Sequence, residues 1–102
     1  MVQQNVDISQ EHREKAFSVT IRTPAGIPGE FHVRSDESVA HVAKIAVDHF
    51  VAHKQLEPGP YGLALIRDGK ATDMLDSARL EDYSVVAGDV LALISKEPQA
   101  DG

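Results

Sequence analysis

Gly102, preceded by Asp101, carries the group in this sequence with the clearest chemical use, a terminal carboxylate. Glycine has no Cβ, so its carboxylate can pass into a narrow channel that a bulkier residue would block. Activation of that carboxylate and its transfer to another molecule would need such access. The polar run leading up to Gly102 would act as a leash, about seven extended residues reaching roughly 20–25 Å. His49 and His53 stand one helical turn apart, a spacing that can put two ligands on one metal, and His41 lies two turns before His49. With no cysteine, and no well-spaced carboxylate beyond the adjacent Asp48, no tetrahedral set is completed. These histidines therefore predict a solvated, mildly pH-sensitive helix face, with no metal and no cofactor.

The remaining polar residues do not assemble into catalytic machinery. Gly26 and Gly29 are not followed by the Lys-Ser/Thr of a phosphate-binding loop. The carboxylates are scattered over polar faces, and no Ser/His/Asp arrangement stands out. A chain of 102 residues has little room for a deep pocket, so an enzyme is not expected.

Elements that could position these groups follow from the hydropathy pattern. Phe17, Val19 and Ile21 alternate with Ser18, Thr20 and Arg22, and Phe31 and Val33 alternate with Glu30, His32 and Arg34. The Gly/Pro-dense segment 24–29 between them predicts a hairpin. Ser35, Asp36, Glu37 and Ser38 offer helix caps and early negative charge. Val39, Val42, Ala43, Ala46 and Phe50 then recur at helical spacing, with Ile45, Val47 and Val51 widening the apolar surface. The helix should run to about Lys54 and be largely buried, before Pro58 and Pro60 forbid continuation. A third strand over 61–67 places Leu63 and Leu65 on one face and Ala64 and Ile66 on the other. Asp68-Gly69 marks a tight turn, 70–75 a short returning strand, 80–83 a helical turn and 90–94 a last strand.

Composition bounds the function classes. Hydrophobic content of 42% and charged content of 25% suit a soluble globular domain, and 5% aromatic residues imply an aliphatic core. A net charge of -6 argues against non-specific nucleic-acid binding and against an anionic membrane surface. The N-terminus has no charged-then-apolar signal pattern, and a cytoplasmic setting is the default expectation. Residues 1–15 read as a flexible tail, 16–95 as one domain and 96–102 as a second flexible tail.

The order β-β-α-β-β-turn-β resembles the ubiquitin-like β-grasp family, including bacterial ubiquitin-like proteins and the small ubiquitin-like subunit of toluene monooxygenases. Residues 17–23 resemble ubiquitin's opening strand, and Glu37-Ser38-Val39 with Val42 is similar to its helix start. Leu65 to Lys70 resembles the strand-turn segment with its Gly-Lys pair, and Leu80-Glu81-Asp82-Tyr83 the Leu-x-Asp-Tyr signature. The resemblance covers about residues 16–95. It implies an α+β fold with one helix packed across a mixed sheet of four or five strands. It also implies that the Tyr83 hydroxyl holds the loop before it by a hydrogen bond.

For function, the resemblance implies a protein modifier. An ATP-dependent activating enzyme would adenylate Gly102 and pass it, through a conjugating enzyme, to a target amine or hydroxyl, with a processing protease as a further partner. Asp101 departs from the family's two slim glycines, and a dedicated enzyme could read it by pairing it with an arginine. Lys70 stands where ubiquitin carries a chain-forming lysine. Pro24, Ile66, Ala92 and Ile94 match positions of the family's apolar recognition patch and are the expected partner-binding residues. A non-covalent binding module, such as an accessory subunit of an oxygenase-type complex, and a sulfur carrier with a Gly102 thiocarboxylate are the alternatives.

Overall fold

The computed structural model describes residues 16–96. Residues 1–15 and 97–102, with Asp101 and Gly102, lie outside the described residues, so of the two expected tails only Lys96 is described, and its N–H donates to the Pro60 carbonyl. Five strands form one sheet: β1 (Ala16–Arg22), β2 (Pro28–Arg34), β3 (Tyr61–Arg67), β4 (Lys70–Met74) and β5 (Val90–Ser95). Their spatial order is β2-β1-β5-β3-β4. β1 and β5 run parallel, with Ile21 beside Leu91, and the other neighbours are antiparallel. Among the described residues one α-helix, α1 (Val39–Ala52), covers one face, and a short 3-10 turn (Leu80–Tyr83) precedes β5.

Alternation along the strands decides what the helix covers. Val19, Ile21, Val33, Leu63, Leu65, Leu91 and Leu93 point towards it and join Val39, Val42, Ala43, Ala46 and Phe50 in one buried cluster. Phe50 is 0% exposed, a burial worth roughly 1.5–3 kcal/mol for such a side chain. Ile45 departs from the expected breadth of the buried stripe: it is 44% exposed, because it lies on the helix flank away from the sheet.

Both ends of α1 differ from expectation in detail. Ser38 is the N-cap, its Oγ accepting the His41 N–H at 3.1 Å. Asp36 and Glu37 fall before that cap, so no acid occupies the first turn. Instead, Glu37 accepts the Arg34 N–H at 2.6 Å and lies 3.3 Å from His41 Nε2. The helix stops at Ala52 rather than Lys54, with His53 as C-cap. Lys54 turns left-handed (φ 60), its N–H donating to the Val51 carbonyl while that of Gln55 donates to Phe50. That paired closure is a Schellman stop, here built without glycine.

Turns close where their residue types permit. Asp68 (φ 53) and Gly69 (φ 74) are both left-handed, the pair of conformations that a tight hairpin between twisted strands requires. The 3-10 turn is tied to the start of α1 through Glu81 N–H to Ser35 O and Leu80 N–H to Glu37 O. Tyr83 Oη accepts the Leu75 N–H at 2.8 Å, as the resemblance implied.

Candidate functional site

The sheet face opposite α1 has no layer packed on it among the described residues, and the strand registers place its side chains in rows. One row runs Arg22, Ala92, Ala64, Asp73 across β1, β5, β3 and β4. The next runs Glu30, Thr20, Val90, Ile66, Ala71. Ile94 faces Gly62 at the end where β5 finishes. Ile66, Ala92 and Ile94 are thus brought onto one surface, Ile94 being 38% exposed. At their centre Ala64 is 1% exposed and Gly62 is buried, so the apolar surface on offer is that of Ile66, Val90, Ala92 and Ile94.

Charge frames this apolar centre. Arg22 stands beside Ala92 in one row, between it and Pro28 on β2, and Asp73 ends the same row on β4. Lys96 lies over Gly62, where an added Cβ would come within 2.5 Å of Lys96 Cε, and its Nζ donates to Asp76 Oδ2. Arg67, at the end of β3, donates to Asp89 Oδ2 at 2.6 Å and to the Ser84 carbonyl at 2.7 Å. Burial would raise the Asp89 carboxyl. The Arg67 hydrogen bond, the Val86 N–H and the Arg67 charge outweigh it and hold Asp89 below the ordinary carboxylate value. That pair fixes the loop leading into β5 and hence the position of Val90.

Pro24 sits apart from these rows. It is exposed in the β1–β2 turn and lines a groove of about 570 Å³ with Val51, Lys54, Leu56 and Tyr61, on the helix side of the sheet. Lys70 is exposed at the start of β4, opposite Arg67 in register. Val90, Ala64 and Lys96 were not singled out from sequence. Alternation alone would have placed Val90 on the face of Ala92 and Ile94, whereas the reach of Lys96 over Gly62 has no local sequence signal.

His41, His49 and His53 are all exposed, as their pattern predicts. Among the described residues no group of three or more His, Cys, Asp or Glu is placed to hold a metal ion. Asp48 pairs with Lys44 at 3.0 Å and so is engaged along the helix rather than with His49. No helix among the described residues is long and apolar enough to cross a membrane.

Five strands in the order 2-1-5-3-4 with one helix across them define a ubiquitin-like β-grasp domain. No family model and no curated protein matches the sequence. Solved structures do match in fold. The UBL domain of Plasmodium falciparum Dsk2 is 21% identical, with a TM-score of 0.57, covering 76% of this chain and 95% of that one. Trypanosoma brucei tubulin-binding cofactor B is 17% identical with a TM-score of 0.64, covering 82% and 99%. A chain of the toluene 4-monooxygenase HD complex with 4-bromobenzoate is 13% identical with a TM-score of 0.65, covering 79% and 99%. Identities this low establish the shared fold.

Proposed function

We propose that this protein is a ubiquitin-like recognition module that binds a protein partner through its open sheet face. The observation that carries the reading is the grouping of Ile66, Val90, Ala92 and Ile94, each at least partly exposed, on the sheet face opposite α1. Apolar side chains grouped on the surface of a small domain mark an interaction site. A partner would lay aliphatic or aromatic side chains against these residues and set acidic groups against Arg22 and Lys96. Two of the structural neighbours agree with such a role, one being a tubulin-binding cofactor and the other part of a monooxygenase complex. In this reading the domain is bound by its partner and is not a catalyst.

The test is affinity capture from the native host with the wild-type chain and with Ile66→Asp and Ile94→Asp. A specific partner retained by wild type and lost by both variants, each still folded by circular dichroism, supports the reading. Retention of the same partner by both variants overturns it.

A second reading, covalent attachment through Gly102, draws on the sequence. β5 ends at Ser95, and residues 96–102 lead from the sheet to that glycine. Activating and conjugating enzymes would then be the partners, Asp101 a recognition element for them, and Lys70 a possible acceptor on a second copy. Incubation with a candidate activating enzyme and ATP should yield an adenylate or thioester that deletion of Gly102 abolishes. Intact mass separates the sulfur-carrier alternative, since a thiocarboxylate exchanges one oxygen for sulfur. Neither product forming with any candidate enzyme would leave only the non-covalent role standing.

A further inference from the structure

The last turn of α1 brings two imidazoles together in a way the sequence spacing only permitted. The rings of His49 and His53 have centroids 4.3 Å apart. A ring centroid lies roughly 3 Å from an ion held at the ordinary metal–nitrogen distance, so two rings on one ion have centroids about 4.5–5 Å apart, close to that separation.

The tautomer of neutral His53 is set by its partner. Its Nδ1 lies 2.8 Å from the His49 backbone carbonyl. A carbonyl only accepts, so Nδ1 carries the proton, and the lone pair of the neutral ring is on Nε2. A hydrogen bond from the far ring nitrogen to a carbonyl is the support that metal-binding histidines use. His49 is held from its other side. Phe31 meets it edge-on at 5.2 Å and 83°, and Phe50 at 5.3 Å and 77°. Rings fixed before binding lose less freedom on binding.

The electrostatic setting also favours a cation. His53 caps the C-terminal end of α1, where the helix dipole is negative. The chain as a whole carries a net charge of -6. Asp48 is engaged with Lys44, so the protein offers two nitrogen ligands and leaves the remaining positions to water.

We propose that His49 and His53 together bind one borderline divalent cation at the end of α1. Imidazole nitrogen suits copper, nickel and zinc, with copper bound most tightly of the three and calcium and magnesium excluded. The ion would bridge residues one turn apart and oppose fraying of the helix where Lys54 turns the chain into the exit loop.

The experiment is calorimetric titration of the full chain with nickel chloride at neutral pH, repeated on His49→Gln, His53→Gln and, as a control, His12→Gln. Both rings are exposed, so the variants should fold, which circular dichroism checks. A chelate loses most of its affinity with either arm, so each helix variant should bind at least about tenfold more weakly. The control should bind like wild type. Resonances of both imidazoles should shift together on titration, and magnesium should produce neither heat nor shift. A loss below about tenfold in either helix variant, or a comparable loss in the control, overturns the proposal.

Discussion

The Tyr83 hydroxyl accepts the backbone N–H of Leu75 at 2.8 Å, fastening the segment after β4 to the 3-10 turn before β5. Tyr83 is half-buried against the core while its oxygen reaches the chain eight residues earlier. Tyr83→Phe keeps the ring and removes only that acceptor. Such a bond is worth about 1 kcal/mol net, and the loss should appear as a lower urea midpoint with unchanged slope. Faster exchange of the Leu75 amide would locate the loss, and an unchanged rate would refute the assigned role.

Asp89 predicts a pH dependence of stability. Its folded pKa lies below the ordinary value, so the unfolded chain takes up the proton first as pH falls. The stabilisation is therefore fully present above the unfolded carboxyl pKa, near 4, and is lost as pH falls through the folded value. Asp89→Asn should be less stable than wild type at neutral pH, with the gap narrowing across that acidic window. Thermal midpoints from pH 7 downward test it; parallel profiles would exclude Asp89 as a source.

Lys54 occupies a left-handed conformation at the helix stop, with φ 60. A residue with a Cβ pays a steric penalty there that glycine does not. Lys54→Gly should therefore raise stability by up to about 1 kcal/mol, less the greater freedom that glycine adds to the unfolded chain. Chemical denaturation measures this directly, and a drop in midpoint would mean that the Lys54 side chain contributes contacts of its own.

Gly62→Ala tests the seat of Lys96 over β3. The added Cβ would fall 2.5 Å from Lys96 Cε, the far end of a flexible side chain. The lysine should move aside and release Asp76, at a cost below about 1 kcal/mol for an exposed pair. The Lys96 side-chain resonances should shift while the core resonances do not. Widespread core shifts would show that the strand itself gives way.

Most of the fold is legible in local pattern. Period-two alternation assigns the two faces of β1, β2, β3 and β5, and helical spacing picks out Val39, Val42, Ala43, Ala46 and Phe50 as the buried stripe. Asp68-Gly69 announces its turn because few other pairs tolerate two left-handed residues in succession. Ile45 escapes the pattern because an apolar residue at the edge of a stripe can lie on either side of the burial boundary. Only the helix's rotation against the sheet decides which. The helix stop was misplaced because Lys54 closes it in a conformation usually reserved for glycine.

The surface proposed to dock a partner is half legible in the sequence. Ile66, Ala92 and Ile94 share a face by alternation, but their grouping depends on β5 lying between β1 and β3. That parallel pairing joins Ile21 to Leu91 across most of the domain, and no short window of sequence contains both. Pro24, expected with the patch, instead lines the groove beside Val51 and Leu56.

The sequence by itself determined the element order, the faces of the strands and the buried side of the helix, since each depends on residues close together in the chain, and its family resemblance implied the Tyr83 anchor. Tertiary structure alone decided the cross-strand rows, the reach of Lys96 over Gly62 to Asp76 and the seating of His49 against Phe31. Those contacts join residues distant in sequence, and their geometry exists only once strand neighbours and registers are fixed.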